Sequence, residues 1–216
     1  QHEAGSQPAQ MFHSSPSGGS ESMQLMYLIA ITAAVKSIDI SSAYFVPDEM
    51  ARIALVSALK RGVRVRVITP GRKTDQQTVR HASRSLWGEL LEAGAQIHVY
   101  QPTMYHCKMV IVDGLLSSVG STNFDPRSFH LNDEANLNIY DKPFGARMTR
   151  VFEDDLKNAR RITLEEWRNR PLREKVTEQV AARHGLDAVF AMGERRLQID
   201  EVQQLRQRQG TGSPYR

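Results

Sequence analysis

Cysteine is all but missing from this chain of 216 residues, where Cys107 stands alone. A single thiol closes no internal disulfide, and with no second one nearby it founds no structural zinc site; such usage suits a reducing cytoplasm. Long apolar runs are missing too. The longest, "MQLMYLIAITAAV" over residues 23–35, falls short of the roughly 20 residues that a membrane span needs, so any membrane contact is expected to be peripheral. The first residue is Gln1, the order of a signal peptide is not seen, and no segment repeats, so the chain is expected to be a piece of a longer polypeptide. Neither sign of charge dominates: 28 basic against 24 acidic residues leave a net charge of +4. That excess favours anionic partners such as nucleic acid, anionic lipid or phosphoesters, without choosing among them. What is present, 40% apolar residues, suffices for a sizeable core in one domain plus extras.

The ends and the middle differ in composition. "QHEAGSQPAQ" and "SSPSGGSES" are polar and rich in Gly, Ser and Pro, so residues 1–20 read as linker-like, with "PSGGS" as a plain turn. Residues 21–170 carry the periodic patterns of a folded half-domain, with residues 171–216 as a separate tail. Residues 22–37 have helical spacing, "IDISSAYF" reads as a strand, Asp48 caps a helix running to Lys60, and "VRVRVIT" alternates with Val63, Val65 and Val67 inward. A helix after Thr74 and Asp75 runs to Gly94, followed by "AQIHVY", "CKMVIVD", "LLSSVG" and "ANLNIYD" as strands, and residues 144–161 read as a closing helix. Strands alternating with helices imply an α/β fold, a mostly parallel or mixed sheet sandwiched between helices. Residues 171–216 form a charged tail, helical in "EKVTEQVAARHG" and "RRLQIDEVQQLRQRQ" and frayed at "GTGSPYR".

One constellation carries chemistry. Side chains two apart on a strand share a face, so His106 and Lys108, at the head of "HCKMVIVD", reach one ligand together while Cys107 turns away as a buried, inert thiol. Asp113 lies five further on, with opposite parity, and is better placed to brace the "DG" turn than to touch substrate. In "GSTNFD" the Ser121 and Asn123 pair again has spacing two. An ammonium, an amide and a hydroxyl converging beside an imidazole suit a phosphodiester, whose developing charge needs preorganised donors, with no metal ion and no cofactor. Glu134, in "NDEANLNIYD", offers a carboxylate to hold one ring nitrogen of His106. The basic set Arg61, Arg64, Arg66, Arg72, Lys73, Arg80 and Arg84 reads equally as a solvated face or a headgroup-docking surface, and Arg127 as a loop brace.

H-x-K followed by four residues and Asp, then G-S-x-N and a downstream glutamate, resembles the signature of the phospholipase D superfamily. The wider run from about Phe12 to about Pro171 is similar to the second half of bacterial cardiolipin synthases. The resemblance implies an α/β/α sandwich and a phosphohistidine intermediate. It places His106 and Lys108 as the catalytic pair, Asp113 as third member of the motif, Ser121 and Asn123 as phosphate-side donors, and Glu134 as the carboxylate orienting the histidine. It also implies a phospholipid substrate at an anionic membrane surface, on the cytoplasmic face of a bacterial inner membrane.

A second H-x-K is absent: no other histidine has lysine two residues on. In-line displacement needs a nucleophile on one side of phosphorus and an acid on the other, and one imidazole cannot occupy both places. One pair is half a site. The other half is expected from an absent part of the polypeptide, or else from a second copy, with His106 as the acid on the leaving group. The leading reading is a phosphatidyltransferase of the cardiolipin synthase type. The others are a homodimeric phosphodiesterase or nuclease and a non-catalytic half-domain binding anionic partners, with nucleic acid the less favoured ligand.

Overall fold

A computed structural model describes residues 5–15 and 20–183. The expected turn "PSGGS", the helix over "RRLQIDEVQQLRQRQ" and the frayed end fall outside the described residues, wholly or in large part. The chain runs β1 (Ala9–Ser14), α1 (Ser20–Ala33), β2 (Ser37–Ser42), α2 (Glu49–Lys60), β3 (Arg64–Pro70), α3 (Gln77–Ser85), α4 (Trp87–Glu92), β4 (Gln96–Tyr100) and β5 (Lys108–Val112). It continues with β6 (Leu116–Gly120), α5 (Pro126–His130), β7 (Glu134–Tyr140), α6 (Lys142–Leu156), β8 (Ala159–Ile162) and α7 (Leu164–Arg168). All strands join one sheet in the order β1-β7-β6-β5-β2-β3-β4-β8.

The sheet is mixed. Among the strands only β2 with β3 and β3 with β4 are parallel, the first pair linked through α2 and the second through α3 and α4, helical crossovers of the kind a parallel pair requires. β5, β6 and β7 pair antiparallel, so the sheet is less parallel than the alternation of elements suggested. The β5–β6 connection is a tight reversal in which Asp113 (φ 54) and Gly114 (φ 63) both take the left-handed conformation. Asp48 caps α2, accepting a hydrogen bond from the Ala51 N–H at 2.8 Å, as its position before the apolar run implied. The main core packs α1, α2 and α4 against one sheet face through Met23, Tyr27, Ile31, Leu55, Trp87 and Leu90. A smaller core lies under α6, where Ile68, Tyr105, Met109, Ile111 and Phe152 meet.

Three elements depart from expectation. Ala9–Ser14, inside the stretch read as linker, is the edge strand β1, paired only with β7. Its burial is slight until Ser14, so it never needed the apolar alternation that marks a strand. The closing helix stops at Leu156, and Ala159–Ile162 is the opposite edge strand, whose "ARRI" holds two outward arginines and continues a polar helical pattern on paper. The run before Gly94 is two helices that break at Leu86. The tail is helical over residues 172–183, as expected, and it docks: Glu178, 1% exposed, lies between Arg84 at 3.0 Å and Arg170 at 2.7 Å.

The basic set is not one face. Arg61 donates to the last carbonyls of α1, Arg84 pairs with Glu174 and Glu178, and Lys73 reaches the Pro102 carbonyl. Arg66, expected outside, is 6% exposed and makes a two-pronged pair with Asp39 at 2.7 and 2.8 Å, with Glu153 at 2.6 Å and its guanidinium over the Phe152 ring. Truncating Asp39 leaves that cation buried with one partner, so Asp39→Ala is expected to cost about 3–5 kcal/mol in denaturant unfolding. Arg66→Met added to Asp39→Leu should recover much of it. A loss under about 1 kcal/mol for Asp39→Ala would contradict the reading.

Candidate functional site

The C-terminal ends of the parallel strands β2 and β3, where α/β sheets gather their ligands, lie beside the start of β5. Ser42 at the end of β2 pairs with Lys108, and the Ala43 N–H bonds the Cys107 carbonyl at 3.1 Å, carrying the antiparallel pairing one step beyond the strands. His106 is therefore held extended just ahead of β5, exposed at the rim. The Lys108 Nζ stands 3.1 Å from its Nδ1, 3.2 Å from its Nε2 and 3.1 Å from its carbonyl oxygen. The spacing of two does bring the pair to one face. Burial holds the Lys108 ammonium below its usual pKa, against the opposing charges of Glu134, Asp75 and Asp125. Cys107 turns the other way, against the small core under α6, and burial pushes its thiol up.

Ser121 and Asn123 present donors to the same rim for a reason set by the backbone. The Ser121 Oγ accepts the Ala135 N–H at 3.1 Å, and the Asn123 Oδ1 accepts the Tyr44 N–H at 3.3 Å. Their acceptor atoms are thus engaged, which leaves a hydroxyl proton and an amide NH2 to meet an anion. Asp125 caps α5 through the N–H groups of Arg127 and Ser128, and burial pushes its carboxyl up to about 6. The Arg127 guanidinium is exposed, with its charge acting on Tyr44 and Asp125; it braces no loop by a side-chain hydrogen bond among the described residues.

Two of the expected residues sit otherwise. Asp113 stands at the far end of β5, roughly 17 Å along a five-residue strand from Lys108. Its carboxylate accepts the N–H groups of Val35, Lys36 and Ser37 at 2.9, 2.7 and 2.8 Å, which outweigh burial and hold its pKa below the usual range. It fixes the entry to β2 rather than bracing the "DG" turn, and the length of β5 sets it apart from His106 and Lys108. Glu134, half-buried at the start of β7, accepts from the Asn132 amide at 3.1 Å. No hydrogen bond joins it to His106 among the described residues, where the imidazole meets Lys108, though its charge does act on Lys108.

Tyr44 and Asp75 belong to the same rim and went unread in the sequence. The Tyr44 ring stands edge-on to the His106 imidazole with centroids 6.5 Å apart, and its hydroxyl donates to the Asp75 carboxylate at 2.7 Å. That hydrogen bond is the main cause holding Asp75 below the usual carboxylate range, and the charge of His106 adds to it. Burial, then Asp75, pushes the Tyr44 phenol up. The available signal was positional: "AYFVPD" directly follows a parallel strand, at the end where ligands bind.

Residues 27–156 match the family described as "Cardiolipin synthase, PLD-like domain". The chain is 41% identical over 180 residues to a cardiolipin synthase of Geobacillus sp. (strain WCH70), an alignment covering 83% of this chain and 36% of that protein. It is 36% identical over 157 residues to the minor cardiolipin synthase ClsB of Bacillus subtilis (strain 168), covering 73% of this chain and 39% of the relative. The chain thus spans little more than a third of these curated relatives. Among solved structures, Nuc, a phospholipase D family member from Salmonella typhimurium, superposes with a TM-score of 0.62 at 22% identity, over 73% of this chain and 99% of Nuc. Phosphatidylserine synthase from Haemophilus influenzae does so with a TM-score of 0.66 at 16% identity, over 84% of this chain and 46% of that one. At such identities the two structures speak for the fold alone.

Proposed function

The chain belongs to the phospholipase D-like domain family of cardiolipin synthases, and from this we propose that it supplies the His106 half of a phosphatidyl-transfer site. The observation that carries the reading is the Lys108 ammonium 3.1 Å from the His106 imidazole, with the free donors of Ser121 and Asn123 on the same rim. A phosphodiester in that cleft has its non-bridging oxygens met by Lys108, Asn123 and Ser121, which stabilise charge building on phosphorus. A second histidine, from outside this chain, attacks phosphorus; the P–O bond to the leaving alcohol breaks and its oxygen takes a proton from His106. The acceptor alcohol then gives its proton to His106 and attacks phosphorus, and the P–N bond of the phosphohistidine breaks.

An apolar row supports a second half docking beside the site. Met109, Val119, Leu137 and Met11 are aligned across β5, β6, β7 and β1, and exposure rises from 3% at Met109, under α6, through 37% and 38% to 63% at Met11. Such a row next to an incomplete site suits a partner of the same fold, and the relatives are nearly three times as long as the matched region. Membrane contact in this reading is peripheral, and among the described residues no helix is long and apolar enough to cross a bilayer. The chain on its own is expected to turn over phospholipid poorly. The measurement is activity against oligomeric state, and full activity in a strictly monomeric sample would sink the half-site reading.

Glu134 completes the acid in this scheme: as the phosphate draws Lys108 off the imidazole, the carboxylate takes up a ring nitrogen of His106. Catalytic hydrogen bonds of this kind commonly tighten only with substrate bound. Glu134→Gln is then expected to slow a natural lipid, whose leaving alkoxide needs its proton, at least tenfold more than an aryl phosphodiester with an activated leaving group. Equal losses on both substrates would reject Glu134 as partner and His106 as the acid.

A further inference from the structure

We propose that Tyr105, clamped by Ser41 and Asp155 on the side of the sheet away from the site, is a positioning residue that sets the direction of the His106 imidazole, and that α6 acts on the site through this phenol. The inference rests on the acid role given to His106 and deepens it by naming what holds the acid in place.

His106 needs an anchor because no regular element carries it. Residues 101–107 lie between β4 and β5 outside any strand, and the bond from the Ala43 N–H to the Cys107 carbonyl comes only after the histidine. The residue before it supplies the hold. Alternation of the extended chain turns Tyr105 away from His106 into the small core under α6, where it is 6% exposed and its ring stacks on Tyr100 with centroids 4.8 Å apart.

The phenol is fixed at its far end as well. Its oxygen lies 2.8 Å from the Ser41 Oγ and 2.9 Å from the Asp155 carboxylate. A carboxylate only accepts, so the phenol gives its proton to Asp155 and takes one from the Ser41 hydroxyl. β2, the segment ahead of β5 and the last turn of α6 therefore meet at one oxygen. The helix itself gives no reason for an aspartate there, since that turn holds no basic residue and the macrodipole disfavours a carboxylate at a C-terminus. The phenol gives one. Ser41, 1% exposed, adjoins Ser42, which pairs with Lys108, so the clamp ties the histidine's backbone to the strand that sets the lysine. Phenylalanine at this position keeps the ring and loses both bonds, which frees the segment and the imidazole on it to tilt. A displacement of about 1 Å in a reacting group costs up to about 10²-fold in rate.

The test is run in the assembly that holds both motif halves, on a short-chain phospholipid and on an aryl phosphodiester with an activated leaving group. An acid out of line slows only the substrate that needs its proton. Tyr105→Phe is expected to lower kcat on the lipid about tenfold, with KM and the aryl rate each within about twofold of wild type. Asp155→Ala should show the same split, and Asp155→Asn, whose amide oxygen still accepts the phenol proton, should recover most of the loss. Equal losses on the two substrates in Tyr105→Phe and Asp155→Ala, or no loss on the lipid, would show the clamp to be structural only and overturn the inference. Should Tyr105→Phe fail to fold by circular dichroism, the contrast between Asp155→Ala and Asp155→Asn decides alone. His106→Ala is measured first on both substrates. If it loses no more on the lipid than on the aryl ester, the acid role is wrong and the inference falls with it, whereas a split seen in His106→Ala and missing from Tyr105→Phe rejects the clamp alone.

Discussion

His106→Ala, made in the assembly that holds both motif halves, is expected to lower turnover of a phospholipid by about 10³–10⁴-fold, and Lys108→Ala by about 10²–10³-fold. The first figure is what a positioned proton donor contributes when the leaving group is a poor one, and the second what a fixed cation contributes to charge developing on phosphate oxygens. The two should also interact. With the Lys108 Nζ about equally far from both ring nitrogens, at 3.1 and 3.2 Å, its removal frees the imidazole to turn, so the double variant should lose less than the product of the two single losses. Cys107→Ser stands between them in sequence and is the control. Its side chain faces Tyr105, Met109 and Phe152, so it should shift the melting temperature slightly and leave turnover within about threefold of wild type. Steady-state rates on one short-chain lipid decide the matter. More than a tenth of wild-type turnover in His106→Ala would remove that histidine from the chemistry.

The residues that sequence reasoning placed correctly are those whose position follows from local geometry. Strand alternation put His106 and Lys108 on one face and Cys107 on the other, and the spacing before the apolar run put Asp48 at the head of α2. Asp113 was read as a brace of the "DG" turn, and the structure finds it instead holding the backbone ahead of β2, a contact 76 to 78 residues away in sequence that no local pattern announces. Edge strands were missed because an edge buries little: β1 and β8 are largely polar and each pairs on one side only. Tyr44 and Asp75 were missed because a hydrogen bond between side chains 31 residues apart leaves no period in the sequence. Arg66 shows the converse. Its neighbours in sequence suggested a solvated basic face, and only the partners brought from β2 and α6 make its burial tolerable.

Gly120 opens the G-S-x-N motif, and its replacement by alanine is expected to damage fold and function together. A methyl group there would stand 2.1 Å from the Ala135 carbonyl oxygen, 2.3 Å from the Asn136 Oδ1 and 2.6 Å from the Asn136 Cα. Two of these are backbone atoms of β7, directly across the sheet where Gly120 pairs with Asn136, so no rotamer change relieves them. The strands must part. Asn136 is fully buried, its Oδ1 accepting the Thr122 N–H at 3.2 Å and its amide donating to Tyr27 and Ser118. Pushing it aside frees Thr122, and with it the segment that holds Ser121 and Asn123, the two donors proposed to meet phosphate. Gly120→Ala is therefore expected to cost about 3 kcal/mol, the upper range for overpacking, and to lower turnover at least tenfold in whatever fraction remains folded. Gly114→Ala separates this steric effect from glycine's flexibility. Gly114 has φ +63 but nothing within 4 Å of an added methyl, and it lies at the far end of β5. It should lose about 1 kcal/mol from left-handed strain and keep its turnover. Chemical denaturation of the two variants, with rates measured on the folded protein, makes the comparison, and a Gly120→Ala no less stable than Gly114→Ala would refute the close strand approach as the reason for glycine in the motif.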